Sequence, residues 1–303
     1  VSVVAALGAG SGTAVAPTRR AHRGAYLLLA PGMLYLVGFF VVPVVALLMT
    51  SLYVPVVGGD VGQFAPALEW RNYLEAVGTY WPQMLRSFGY ALIATVAALV
   101  IGYPMAYVIA VRARGRPFLQ GMLLVLVIAP FFTSFILRTI AWKQILADES
   151  FVVAAMRAVS LLPPDGRLTA TAFAVVSGLT YNFLPFMTLP IYASLERLDP
   201  RLVEAGADLY ASGPTTFWRV TLPLSMPGVV SGTLLTFIPA SGDYVNSVLL
   251  GNNTTTMIGQ VIDSRFFKVS DYPTAAALSV VLMVAILVLV TVYVKRAGTE
   301  DLL

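Results

Sequence analysis

Asp243 is the one acidic residue deep inside an apolar stretch of this chain. A carboxylate in hydrocarbon is costly unless it is paired, hydrated or neutralised, so a functional reading is the default. It could offer charge to a solute ammonium, with Tyr244 and other aromatic faces adding cation–π attraction. It could equally form a structural pair with Arg138, whose head would snorkel to the membrane surface. Pro239, Ser241 and Gly242 precede Asp243 and weaken a helix there, freeing carbonyls to face a cavity. Tyr181-Asn182, with Pro185 soon after, make a second interrupted polar patch. That patch reads as part of a pathway or as a helix–helix hydrogen bond. Trp142 reads as an interface anchor in preference to a ligand contact. A single carboxylate is a thin site for a charged ligand.

Other chemistry is excluded by residue type. The chain has no cysteine, which removes disulfides, thiolate nucleophiles and cysteine metal sites. Its single histidine, His22, lies in the polar N-terminal stretch, so no span carries a histidine acid, base or zinc ligand. These absences disfavour an intramembrane enzyme. Gly8, Gly10 and Gly12 have no lysine after them, and no Walker A pattern occurs, so the chain by itself is not an ATPase. The sequence assigns no metal and no cofactor to this chain.

The elements that must position Asp243 are membrane helices. Only 11% of the residues are charged, against about 25% in a soluble domain. With 58% hydrophobic residues and a mean hydropathy of +0.82, the chain belongs in a bilayer. Six stretches can cross about 30 Å of hydrocarbon: residues 26–52, 85–111, 118–142, 169–195, 227–250 and 275–294. Lipid offers no partner to an open backbone, so each must be helical. The expected fold is all-α, a polytopic bundle of six transmembrane helices. An N-terminal tail, residues 1–25, is expected to be disordered and is not read as a signal peptide. A six-helix domain follows over 26–294, with a polar loop at about 196–226, and a short tail over 295–303. On straight helices Asp243 sits roughly 24 Å past Pro227 and Arg138 roughly 30 Å past Phe118, which puts both in the outer half at similar depth.

Charge fixes the expected orientation. Arg112, Arg114 and Arg116 crowd a very short loop that should stay cytoplasmic. Both termini and the Glu204 loop then lie inside as well. The inside segments hold 11 Lys/Arg against 6 Asp/Glu, whereas the outside segments hold 8 of each. The net charge of +4 is thus spread by side of the membrane and does not suggest nucleic-acid binding. Tyr26, Tyr53, Trp81, Trp142 and Tyr293 fall near span ends, as interfacial aromatics do.

The 196–226 loop has a pattern of its own. Asp199-Pro200 is a helix start, with a capping aspartate and proline at the first position. Leu202, Ala205 and Leu209 recur at helical spacing. Gly213-Pro214 is expected to break that helix, after which Phe217, Val220 and Leu224 resume an apolar face. Read from pattern alone, this is a docking element or an interfacial helix joining two spans. Its spacing resembles the "EAA" loop of ABC importer permeases: Glu-Ala-Ala, three residues, Gly, nine residues, Ile, one residue, Leu-Pro. Glu204, Ala205, Leu222 and Pro223 match, Val220 stands in for the isoleucine, and Asp208-Leu209 and Ala211-Ser212 look like the family. Gly206 replaces the second alanine and Tyr210 replaces the glycine, so Tyr210 is expected to shift the turn to Gly213-Pro214.

The resemblance extends over residues 28 to 294. Pro31-Gly32 through Pro43, Gly102-Tyr103-Pro104-Met105-Ala106-Tyr107, Leu137-Arg138-Thr139-Ile140-Ala141-Trp142, Pro185-Phe186-Met187 and Gly242-Asp243-Tyr244-Val245 look like the spermidine/putrescine permeases of ABC importers. The resemblance implies a type I ABC importer permease fold in the bacterial inner membrane, and a non-catalytic subunit. It implies ATP and Mg bound by two separate ATPase subunits, a second similar or identical permease, and an extracytoplasmic solute-binding protein. It implies an ATPase-coupling role for Glu204, Ala205, Gly206, Asp208, Leu209, Tyr210, Gly213, Leu222 and Pro223. The expected solute is a polyamine or a related small cation. The alternatives are another small solute or, in a different class, a stand-alone channel or secondary carrier.

Overall fold

A computed structural model describes residues 21–296. The chain divides into two units, Val1–Leu47 and Leu48–Leu303. In the first, α1 (Ala21–Leu36) passes through a π-helical stretch, Val37–Val41, into α2 (Val42–Thr50), whose last three residues belong to the second. Helix therefore begins before residue 26, inside the expected tail. Residues 1–20 of that tail, with Arg19 and Arg20, lie outside the described residues, as does the C-terminal tail beyond Arg296. Leu34, Phe39 and Phe40 are all exposed along this unit, as suits a helix whose solvent is lipid.

In the second unit a hairpin of two-residue strands precedes the bundle, β1 (Val54–Pro55) pairing antiparallel with β2 (Phe64–Ala65). Then α3 (Arg71–Tyr107) runs on through a π-helical turn to Arg112. It is longer than the expected second span, because the amphipathic stretch before residue 85 is helical too. The third expected span is not one helix. α4 (Pro117–Ile128) ends in a 3-10 turn, Ala129–Phe132, and α5 (Phe135–Ile145) leaves at 100° to it. Pro130 explains the break: it has no N–H to donate and crowds the preceding turn. The rise of about 30 Å expected between Phe118 and Arg138 is corrected accordingly.

A short α6 (Phe151–Ala158) leads to α7 (Ala172–Glu196), which packs against both α3 and α10 (Leu222–Ser241). Between α7 and α10 stand α8 (Pro200–Asp208) and α9 (Gly213–Thr216), the latter continuing as π-helix over Phe217–Thr221. Beyond α10 come α11 (Val245–Leu250), α12 (Ile258–Asp263) and the long α13 (Tyr272–Arg296). The fifth expected span thus ends at Ser241, not Leu250, and Asp243 lies at a break instead of inside a helix. Five described helices are long and apolar enough to cross a membrane, and the bent α4–α5 pair makes a sixth if it is one span.

Small residues let α10 lie flat on α7. A Cβ on Gly228 would come within 2.6 Å of the Pro190 carbonyl oxygen, and one on Gly232 within 2.9 Å of that of Met187. Between apolar helices in lipid, such close backbone approach supplies the packing energy that water would otherwise provide. At the far end from Glu204, Ser87 of α3 accepts the N–H of Ile258 at 2.7 Å, and Arg86 donates to the carbonyl of Thr256 at 3.0 Å. These bonds fix the start of α12 to α3.

Candidate functional site

Two groups of candidate functional residues lie in different parts of the second unit. The first surrounds α5, α7 and α11. The 100° bend lays α5 against α7, and the break at Gly242–Tyr244 turns α11 toward both. Asn182 of α7 is 1% exposed and donates from Nδ2 to Thr139 Oγ1 at 2.9 Å and to Asn246 Oδ1 at 3.1 Å. One amide therefore ties all three segments together. The polar patch expected at Asn182 is a helix–helix hydrogen bond. Asn182 Oδ1 and Asn246 Nδ2 are buried without a protein partner.

Asp243 and Arg138 are not paired: no ion pair joins them among the described residues. One carboxylate oxygen of Asp243 accepts the N–H of Asn246 at 2.8 Å, closing the turn into α11. The Arg138 guanidinium instead lies 5.6 Å from the centre of the Phe135 ring, with Nε and Nη1 buried and lacking acceptors. Trp142 is half-buried. It stacks on Tyr181, with ring centres 5.3 Å apart and planes within 4°, and its indole N–H donates to Ser177 Oγ at 3.1 Å. Tyr244 is exposed and the structure does not bring it to this stack. The sequence reading missed Thr139, Ser177, Gly178 and Asn246. Gly178 is the joint of the group: a Cβ there would meet Leu250 Cδ1 at 2.3 Å and Asn246 Oδ1 at 2.7 Å. Spacing offered two signals. Ser177 and Gly178 precede Tyr181 and Asn182 by one helical turn, and Asn246 follows Asp243 by three residues, the span of a side-chain-capped turn.

The second group is the α8–α9 segment. Asp199 Oδ1 accepts the N–H of Arg201 at 3.0 Å, and Pro200 opens the helix. α8 then turns its apolar stripe outward: Leu202 is 47% exposed and Leu209 81%. Ala205, Glu204 and Asp208 are exposed as well. The helix stops at Asp208, before Gly213-Pro214, which correct the expected break by starting α9 with proline in its first turn. Nor does Tyr210 shift the turn. It takes the left-handed conformation itself, φ +56°, and the N–H of Ala211 donates to the Gly206 carbonyl at 3.0 Å. That is a Schellman ending with tyrosine where glycine is usual. Gly206 is explained by close approach, since a Cβ would sit 2.9 Å from Thr216 Oγ1. Farther on, Leu222 is half-buried and Pro223 exposed at the start of α10.

Comparison with known proteins connects this geometry to a family. Residues 98–297 match the model of the binding-protein-dependent transport system inner membrane component. The spermidine/putrescine transport system permease protein PotB of Escherichia coli (strain K12) is 38% identical over 215 residues, 71% of this chain and 77% of its own length. PotB of Haemophilus influenzae is 36% identical over 74% of this chain and 78% of its own. The E. coli inner membrane ABC transporter permease protein YdcU is 32% identical over 73% and 72%. Among solved structures, a bacterial ABC transporter involved in import of the acidic polysaccharide alginate shares the fold, with a TM-score of 0.66 at 17% identity over 92% of this chain and 96% of that one. A channel or secondary carrier acting alone is thereby set aside. The chain belongs to the family of binding-protein-dependent transport system inner membrane components, as a non-catalytic, multi-pass permease subunit of an ABC importer.

Proposed function

We propose that this permease serves a polyamine importer and that α8–α9 is its ATPase-coupling element. One observation carries the coupling role: a short, capped helix and its C-terminal turn leave Leu202, Leu209, two carboxylates and a fully exposed tyrosine open to a partner. Isolated exposed apolar residues are ordinary, but a helical stripe rimmed by charge fits a partner groove. The arginine-rich turn between α3 and α4 lies on the same side as α8, which supports a cytoplasmic location for both. In this reading two ATPase subunits bind ATP and Mg, a second permease completes the path, and an extracytoplasmic binding protein delivers the solute. ATP-driven closure of the ATPases moves α8 and opens the cavity outward, and hydrolysis resets it.

The solute class rests on similarity to the spermidine/putrescine permeases and on Asp243, with the Trp142–Tyr181 stack of the same junction as a candidate aromatic face. A second reading is favoured by Arg138, whose guanidinium lacks an acceptor: a small solute that carries a carboxylate as well as an amine. Uptake of labelled spermidine by the reconstituted transporter, with and without ATP, decides between them. Spermidine uptake that requires ATP and the binding protein is expected. Competition only by amino-acid-like zwitterions would replace the first reading with the second. Loss of transport but not of assembly in Glu204→Ala is the expected sign of coupling through α8.

A further inference from the structure

Arg114 belongs to the arginine-rich turn whose only assigned part so far is to set topology. The turn is tight, with the N–H of Arg116 donating to the Ala113 carbonyl at 3.0 Å and Gly115 at φ +81°, a conformation that suits glycine alone. This aims the Arg114 side chain at the end of α7. Its Nη2 donates to the carbonyls of Glu196 at 2.8 Å and Leu195 at 3.3 Å, and Nη1 to that of Leu198 at 3.2 Å. The Leu195 carbonyl also accepts the N–H of Leu198 at 3.2 Å, so the guanidinium adds to a turn that closes α7 at the negative pole of the helix. A second strut comes from α4, where Gln120 Nε2 donates to Glu196 Oε2 at 2.8 Å and to the Tyr192 hydroxyl at 3.2 Å. α8 begins only two residues past Leu198. Beneath it lies a cleft of about 190 Å³, bordered by Tyr107, Val111 and Arg114 on one side and by Val203 and Glu204 on the other.

A fixed joint beside an unfilled space is the geometry of a lever. We propose that Arg114 is the positioning residue that makes the α7–α8 joint a pivot. Displacement of α8 is thereby carried into the α3–α4 turn instead of being lost in a flexible linker. The planar fork matters, because one guanidinium engages three carbonyls at once and an ammonium offers a single compact head. The proposal rests on α8 being the coupling element.

The test uses the complete transporter in proteoliposomes with saturating binding protein, and reads solute moved per ATP hydrolysed. In Arg114→Gln this ratio should fall roughly two- to thirtyfold, the range expected when a coupling contact is removed, while ATP hydrolysis continues. Arg114→Lys should lie between that variant and the parent. A merely structural role would lower the amount of assembled complex and leave the ratio unchanged, which would overturn the proposal. Should Arg114→Gln not assemble, Arg114→Lys decides by the same ratio. Glu204→Ala separates the two failures. If it lowers the ratio while the Arg114 variants do not, the pivot is wrong and α8 still couples. If it also leaves the ratio intact, α8 is not the coupling element and both ideas fall.

Discussion

The α8–α9 segment and the α5–α7–α11 junction solve opposite problems. α8 is organised by local bonds: a cap from Asp199 to Arg201, a Schellman bond from Ala211 to Gly206, and outward-facing side chains. The junction is organised across distance in sequence, with Asn182 bonded to residues 43 and 64 positions away. In the proposed reading one region meets a partner and the other holds itself together. Substitutions should therefore act on coupling in the first and on packing in the second.

The largest effect is expected at the junction's tightest point. Gly178→Val would drive side-chain carbons into Leu250 and Asn246, at an overpacking cost of about 1–3 kcal/mol. The thermal midpoint of the purified complex should drop by several degrees, with transport falling alongside. An unchanged midpoint would mean that α11 is free to move away and that the junction is looser than described. Next comes Asp243→Asn. The amide oxygen can still accept from Asn246, so assembly and midpoint should hold, while uptake of a cationic solute falls roughly tenfold, about 1.4 kcal/mol in transition-state terms. Asp243→Ala, which loses the turn as well, should lower the midpoint. If Asn behaves like Ala in this respect, Asp243 is structural only.

A smaller effect is expected at Tyr210, where left-handed backbone costs an L-residue about 1–2 kcal/mol, partly offset by the greater unfolded freedom of glycine. Tyr210→Gly should raise stability by under about 1 kcal/mol by denaturant titration. A transport loss larger than that of Gly178→Val would invert the comparison and make the exposed ring a contact in its own right. Smallest of all is Arg71→Ala. Arg71 and Glu75 are 3.7 Å apart with more than two thirds of each side chain exposed, and such a pair contributes at most about 0.5 kcal/mol. No measurable change in midpoint is expected.

The same contrast explains what could be read without coordinates. The α8 region was legible because its signals are linear: Asp199-Pro200 starts a helix, and Glu204 to Leu222-Pro223 keeps a fixed spacing. Even there Tyr210 misled, since its side chain argues against the left-handed turn that the Schellman bond enforces. Six apolar stretches gave the number of candidate spans. Composition alone could not show that Pro130 breaks the third one or that the fifth ends at Ser241, because each stretch remains apolar past its break. Thr139 and Asn246 became visible as partners of Asn182 only when the bend and the break had brought them to α7. The partners of Trp142 were hidden for the same reason, since its stack on Tyr181 and its bond to Ser177 depend on the fold-back of α5.

The bend between α4 and α5 also changes what order along the chain means. On a straight helix Phe135, Arg138 and Trp142 would be successive rungs, the last some 10 Å beyond the first. At 100° the whole of α5, about 16 Å long, retreats only about 3 Å along the axis of α4. The rungs become a sill at one level. On the proposed solute path the ring, the guanidinium and the stacked indole would act together, as one barrier instead of three.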